Sequence, residues 1–186
     1  MDKYITLLKE KLDNKRFLHS LGVAETAQEL AIKNEVDPEL AYLSGILHDY
    51  GKNISCENLI KIAENNKLIT DEIEKKNPFL LHGPVGAYLL EKELGIKNRE
   101  VLEAVRYHTT GKPNLGKLGL IIYIADLIEP NRRLTGIETI RKLAYQDLYK
   151  GVLTGINYTL VHVIEQNQPI HSLSIDARNW LLDIIN

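Results

Sequence analysis

Apolar residues recur at intervals of three and four along nearly the whole chain. Tyr4, Leu7, Leu8 and Leu12 mark one helical stripe, and Phe17, Leu18, Leu21, Ala24, Ala27, Leu30 and Ala31 mark a second. Asp37-Pro38 predicts a helix start, because an aspartate can cap free amides and proline suits the first helical position; Gly51 predicts its end. Ser55 is expected to open a short helix over Leu59, Ile60 and Ile62, and Asp71 another around Ile73. Further helices are expected from Pro84 to Leu94, Asn98 to His108 and Gly116 to Ile128. One long helix then runs through Ile137–Ile164, and a last follows Ser174. No stretch sustains a period of two. The links, such as Asn77-Pro78, Gly95 and Gly111-Lys112-Pro113, are short and carry Gly, Pro or Asn. The expectation is an all-α single domain over residues 1–186, undivided by repeat or linker.

Composition narrows the functional classes. Of 186 residues 44% are apolar and 26% charged, ordinary for a globular chain, and the net charge of −2 exerts no global pull on nucleic acid or anionic membrane. Any phosphate binding must therefore come from a local cluster. The single Cys56 excludes an internal disulfide and a cysteine-based zinc site, and fits a reducing cytoplasm. The segment MDKYITLLKEKLD lacks the apolar core of a signal peptide, and no run reaches the roughly 18–20 apolar residues of a bilayer span. A cytoplasmic location is expected. Thr109-Thr110-Gly111-Lys112 resembles the end of a phosphate-binding P-loop, but Arg106 stands where a glycine is needed and Pro113 where Ser or Thr is needed. Asn53-Ile54-Ser55 and Asn157-Tyr158-Thr159 match the glycosylation sequon, which a cytosolic chain does not use.

The informative residues are polar ones on apolar faces. Asp126 lies in Leu120-Ile121-Ile122-Tyr123-Ile124-Ala125-Asp126-Leu127-Ile128, apolar on nearly every face and so expected to be buried. A carboxylate there needs a proton or a cation, either an arginine or a metal. His19 lies on the stripe of Val23, Ala27 and Leu30, as a hydrogen-bonded core residue or as a ligand. In Gly45-Ile46-Leu47-His48-Asp49-Tyr50-Gly51-Lys52 two ligand types stand side by side. Successive helical side chains diverge by about 100°, so neighbours serve one cluster best at a helix end, or where one of them bridges two ions. His82 precedes Gly83-Pro84 at a helix start, and His108 closes a helix before Thr109. Four histidines and two aspartates on five helical segments share one explanation: convergence on a first-row transition metal, with iron, manganese, cobalt and zinc all chemically suited. His162 and His171 fit no such pattern and read as structural.

The order His19, His48-Asp49, Asp126 resembles the signature of the HD-domain metal-dependent phosphohydrolases, from about Arg16 to at least Arg133. With "LHDYGK", "HGPVGAYL", "YHTTG" and "IADLIEPNR" in succession, the chain is similar to the YqeK-type branch of symmetrical diadenosine tetraphosphate hydrolases. The resemblance implies an HD-domain helical bundle whose metal-site core spans about 16–133, with helices 137–186 completing it. It implies that His19, His48, Asp49 and Asp126 hold the core metal, and that His82 and His108 make the site binuclear, with Asp49 bridging two ions, most simply iron. The implied reaction is attack by a metal-held hydroxide at the central anhydride, giving two ADP. Lys52 and Arg132 are the expected catalytic cations, and Arg132 is preferred to Arg133 because it matches the "EPNR" pattern. Lys52, His82, His108, Thr109, Thr110, Arg132 and Arg133 are expected to line the substrate. The implied partner is a small-molecule nucleotide, with neither nucleic acid nor membrane, and the apolar face of the helix from Ile137 leaves a homodimer open. Two alternatives stand: an HD-type nucleotidase or dNTP phosphohydrolase, and a non-catalytic nucleotide-binding regulator.

Overall fold

Helix boundaries in this chain follow the side chains that can satisfy free amides. Asp13 accepts from the Arg16 amide, Asp37 from Glu39 and Leu40, Ser55 from Asn58, Asn98 from Val101 and Asp147 from Lys150. Each stands immediately before a helix. The structure is a computed structural model and describes residues 2–186. Among these residues there is no strand. In chain order the helices are α1 (Asp2–Lys11), α2 (Asn14–Lys33), α3 (Pro38–Leu47), α4 (Cys56–Asn65) and α5 (Ile73–Lys76), then a 3-10 turn over Pro78–Leu81. They continue as α6 (His82–Leu94), α7 (Arg99–Tyr107), α8 (Lys117–Ile128), α9 (Ile137–Gln146), α10 (Leu148–Glu165) and α11 (Ser172–Ile185).

Four boundaries differ from expectation. The helix from Pro38 closes at Leu47 rather than at Gly51, and residues 48–51 form a tight turn in which the Tyr50 and Lys52 amides donate to the Leu47 and Asp49 carbonyls. Gly51 is needed there for another reason: a Cβ on it would lie 2.5 Å from the His82 carbonyl oxygen, so the turn docks directly on the start of α6. That helix begins at His82, two residues before Pro84. The long helix expected over Ile137–Ile164 is two helices. Asp147 adopts an extended backbone (φ −151°) and caps α10, so its capping preference wins over helix continuation. Finally, α11 starts at Ser172, capped by the His171 ring nitrogen Nδ1, which accepts from the Leu173 amide.

The core forms around α8. Leu118 through Ala125, and Ile128, are all buried, and this helix packs against α2, α3, α7 and α10 at once. One continuous apolar cluster runs from Leu8 of α1 to Leu181 of α11. Each fully buried Leu or Ile in it contributes about 1.5–3 kcal/mol. A smaller cluster of Leu59, Ala63, Leu68, Leu81 and Val85 supports the segment that leads into His82. No helix among the described residues is long and apolar enough to cross a membrane.

The most extensive helix pair is α2 with α3. A Cβ on Gly45 would stand 2.6 Å from the Ala24 Cα, so the two backbones are in contact. This approach brings the first turns of α2 opposite the end of α3. A second clasp holds α11: Glu74, 3% exposed, accepts from the Thr70 and Asp71 amides at 2.6 and 3.1 Å and lies 3.5 Å from His171 Nε2. Burial alone would raise the Glu74 pKa, but His171 and the two amides outweigh it and leave it below the ordinary 4.5.

Two outcomes follow. Gly45→Ala must separate α2 from α3 and is expected to lower stability by about 1–3 kcal/mol, read by denaturant unfolding. Glu74→Gln isolates the charge. Because the folded carboxyl titrates below its unfolded value, its stabilisation is full above about pH 4.5 and is lost as pH falls through the folded pKa. The stability gap between wild type and Glu74→Gln is therefore expected to be largest near neutrality and to shrink in acid.

Candidate metal centre

Three of the site histidines hold themselves in the same way. His48, His82 and His108 each stand at a helix end, and each ring Nδ1 faces a carbonyl three residues earlier: Gly45 at 2.7 Å, Phe79, and Val105 at 2.7 Å. A carbonyl only accepts, so each Nδ1 carries the proton and each Nε2 presents a lone pair. His19 is held differently, between two carboxylates: its Nδ1 lies 3.1 Å from Glu129 Oε1 and its Nε2 3.0 Å from Asp126 Oδ1.

The four Nε2 atoms converge. His48 Nε2 is buried and has no hydrogen-bond partner. The His82 and His108 Nε2 atoms lie 2.9 Å apart, each with its other nitrogen already donating. Two lone pairs at that distance repel unless a cation or a shared proton stands with them. Asp49, 4% exposed, lies between the groups: Oδ2 is 3.6 Å from His48 Nε2, and Oδ1 is 3.3 and 3.8 Å from the His82 and His108 Nε2 atoms. Two ligand sets emerge, His19–His48–Asp126 and His48–Asp49–His108, with the donor atoms of each within 4.8 Å of one another. An orphaned buried nitrogen, facing imidazole lone pairs and two carboxylates make a donor set that fits first-row transition-metal ions.

Electrostatics agree. Burial lowers the pKa of His48 despite the nearby Asp49 and Asp126, and burial together with His82 and His48 pushes His108 down to about 3. Both rings are neutral at pH 7. Burial would raise the two aspartates, but His48, His82 and Lys52 hold Asp49 well below the carboxylate range, as His19, His48 and Arg132 do Asp126. For His19 burial is opposed by Asp126 and Glu129, which together raise its pKa.

Asp126 departs from the sealed position expected of it. It lies in the last turn of α8, where the helix emerges, and 24% of its side chain faces a cleft. Arg132 forks onto it, with Nη2 at 2.8 Å from Oδ1 and Nε at 3.1 Å from the backbone carbonyl. Lys52 stands 3.3 Å from His82 Nε2 and 3.9 Å from Asp49 Oδ1, and the Thr109 hydroxyl is 3.2 Å from His108 Nε2. Arg133 lines the same cleft further out. Thr110 is turned away: its buried hydroxyl donates to the Gly111 carbonyl. Lys112 pairs with Glu103 at 2.9 Å, outside the cleft.

Sequence reasoning missed Glu129, Arg16, Tyr158 and His162. Glu129, 1% exposed, braces His19 and also accepts from the Asn131 amide at 2.7 Å. It stands three residues after Asp126, a spacing that shares a helix face and could have flagged it. Arg16, three before His19, points Nη1 at Asp49 Oδ2 from 3.6 Å. Tyr158 and His162 line a cavity beside Asp126. Of the two histidines set aside as structural, His171 caps α11 and His162 faces this cavity.

Residues 16–131 match the family model described as HD domain. The chain is 37% identical to "Bis(5'-nucleosyl)-tetraphosphatase, symmetrical" of Bacillus subtilis, over 97% of each chain. It is 38% identical to the protein of the same description from Halalkalibacterium halodurans, over 97% of this chain and 96% of the relative. A crystal structure from Clostridium acetobutylicum, described as that of a "predicted HD superfamily hydrolase involved in NAD metabolism", superposes with a TM-score of 0.95 at 40% identity, covering 98% of this chain and 97% of that one.

Removing the Glu129 carboxylate leaves the His19 N–H and the Asn131 amide without their acceptor. Glu129→Ala is expected to weaken retention of a divalent transition-metal ion by about 10–100-fold, with Glu129→Gln in between because it keeps an acceptor. Metal titration of the purified variants reads this directly; undiminished affinity in Glu129→Ala would show that His19 needs no brace.

Proposed function

The chain belongs to the HD domain family, and on that premise we propose that it is a metal-dependent symmetrical bis(5'-nucleosyl)-tetraphosphatase, cleaving diadenosine tetraphosphate at its central anhydride to two ADP. The observation that carries this reading is a convergent cluster of His19, His48, Asp49, His108 and Asp126, three of which (His19, Asp49 and Asp126) open onto a cleft with five cationic side chains, in a chain similar to symmetrical tetraphosphatases over nearly its full length.

In this reading His19, His48, Asp49 and Asp126 would hold one ion, and Asp49, His82 and His108 would hold a second. Asp49 would serve both, since its two oxygens face different histidine groups. Imidazole with carboxylate suits iron, which we take as the native metal, with manganese, cobalt and zinc as chemically competent substitutes. Bound ions supply Lewis acidity there, lowering the pKa of coordinated water from about 16 toward about 7 and neutralising phosphoryl oxygens.

The chain's own residues do the rest. Nδ1 hydrogen bonds to carbonyls leave the Nε2 lone pairs of His48, His82 and His108 free before any ligand arrives, and Glu129 braces the His19 ring, so no ring has to reorient. Arg132 is held as a fork by Asp126 and its carbonyl, preset for bidentate contact with phosphate, while its side chain stays 42% exposed to the cleft. Lys52 and Arg16 place positive charge on either side of Asp49, and Arg133 extends it outward. Thr109 offers a hydroxyl beside His108. The leaving ADP departs as an anion into this positive field, so the reaction requires no dedicated general acid.

Chelation is expected to abolish hydrolysis, and add-back of iron or manganese to restore it. Asp126→Ala should lose metal retention and lower turnover by more than about 100-fold, beyond the cost of losing a supporting residue. Product chromatography decides the reading: ADP alone from diadenosine tetraphosphate supports it, whereas ATP with AMP, or nucleoside released from a mononucleotide instead, would overturn it.

A further inference from the structure

The substrate proposed above is symmetrical, but the site is not. Two cavities meet at Asp126, Arg132 and Leu134. The larger, about 750 Å³, gathers the site's cations: Lys15, Arg16, Lys52, Arg132 and Arg133 line it, above a floor that carries Asp13, Asp49, Asp126 and Glu129, and no Phe, Tyr or Trp lines it. The smaller, about 310 Å³, is lined by Tyr123, Leu127, Leu134, Tyr158, Thr159 and His162, together with His108, Thr109, Asp126 and Arg132 of the metal-centre surroundings. Its volume lies at the low end of the roughly 300–1,000 Å³ of small-molecule sites, room for one nucleoside and not two.

The aromatic wall comes from one helix face. A Cβ on Gly155 would stand 2.8 Å from Ile124 Cδ1 and 3.1 Å from Leu127 Cδ2, so α10 lies hard against α8 at that point. Residues at three, four and seven positions beyond Gly155 share its face, and these are Tyr158, Thr159 and His162. They are carried across from Tyr123 and Leu127. Aromatic rings with a few hydroxyl and imidazole groups suit a neutral heteroaromatic base; the cationic cleft suits polyphosphate and offers a base no platform.

We propose that, within the tetraphosphatase reading on which this rests, the two ends of the substrate bind unequally: one nucleobase enters the Tyr158–His162 chamber, and the second nucleoside lies along the cationic cleft, held through its phosphates. Tyr158 and His162 are then specificity-determining residues, and the enzyme reads one base of the two. Mixed dinucleoside tetraphosphates with a single purine are substrates, cleaved at the same central bond to two nucleoside diphosphates.

The test compares three substrates on the metal-loaded enzyme. Diadenosine and adenosine–uridine tetraphosphates should have kcat/KM values within about threefold, since the mixed substrate loses only one of two productive orientations, while diuridine tetraphosphate should fall about tenfold or more with the loss of purine stacking. Tyr158→Ala should raise KM for diadenosine tetraphosphate about tenfold with kcat little changed and erase the adenine preference, because the contact is equal in ground and transition states. Tyr158→Phe, which keeps the ring and the packing, should behave as wild type, and His162→Ala, an exposed position, should weaken the preference without loss of fold. Equal losses on the mixed and diuridine substrates, or no discrimination among the three, would overturn the proposal and leave the tetraphosphatase reading intact. Failure of the wild type to release ADP from diadenosine tetraphosphate would overturn both.

Discussion

Imidazole lone pairs facing one another in a buried space constrain everything else in this protein. Left to themselves, the Nε2 atoms of His82 and His108, 2.9 Å apart, and the unpartnered Nε2 of His48 would rotate toward better partners. They are prevented because each Nδ1–H is already committed to a carbonyl on its own helix turn. The Gly45 and Val105 carbonyls belong to the last turns of α3 and α7, where the backbone leaves acceptors free, and the Phe79 carbonyl belongs to the 3-10 turn before α6. The bundle thus turns an ordinary weakness of helix ends into rigid orientation of ligands.

Position then follows from close packing. The doublet His48-Asp49 lies just past α3, in a turn pressed against the start of α6, and α3 itself lies on α2 with backbone touching backbone at Gly45 and Ala24. Because α8 packs on α2, α3, α7 and α10, it brings Asp126 and Glu129 to the same floor. His19 differs from the other three histidines in being braced by a carboxylate rather than a carbonyl. A charged acceptor makes that ring the more basic one, so the four imidazoles are electronically unequal. The cavities above are unequal as well, one aromatic and one cationic.

Much of this was legible in the chain, for physical reasons visible in particular residues. The expected all-α architecture and the HD family both hold, because periodicity of three and four is local and a ligand signature is short. Asp126 announced itself as a carboxylate among Ile and Leu; only its place in the last turn of α8 shows why it is partly open. The break at Asp147 was missed because apolar periodicity runs straight through it, and the contest between capping and continuation is decided by where α10 must pack. Glu129 stands just past the expected helix end at Ile128 and braces the His19 ring 110 residues away.

What the sequence determined by itself was therefore local: which segments are helical, which side chains can donate to a metal, and in what order they come. These depend on neighbours within one or two turns. The tertiary structure alone decided which Nε2 atoms meet, that Thr110 turns from the cleft while Arg16 turns into it, and that Tyr158 and His162 stand opposite Tyr123. Each of these is a distance between helices far apart in the chain, set by shape complementarity of buried faces rather than by any residue's own preference.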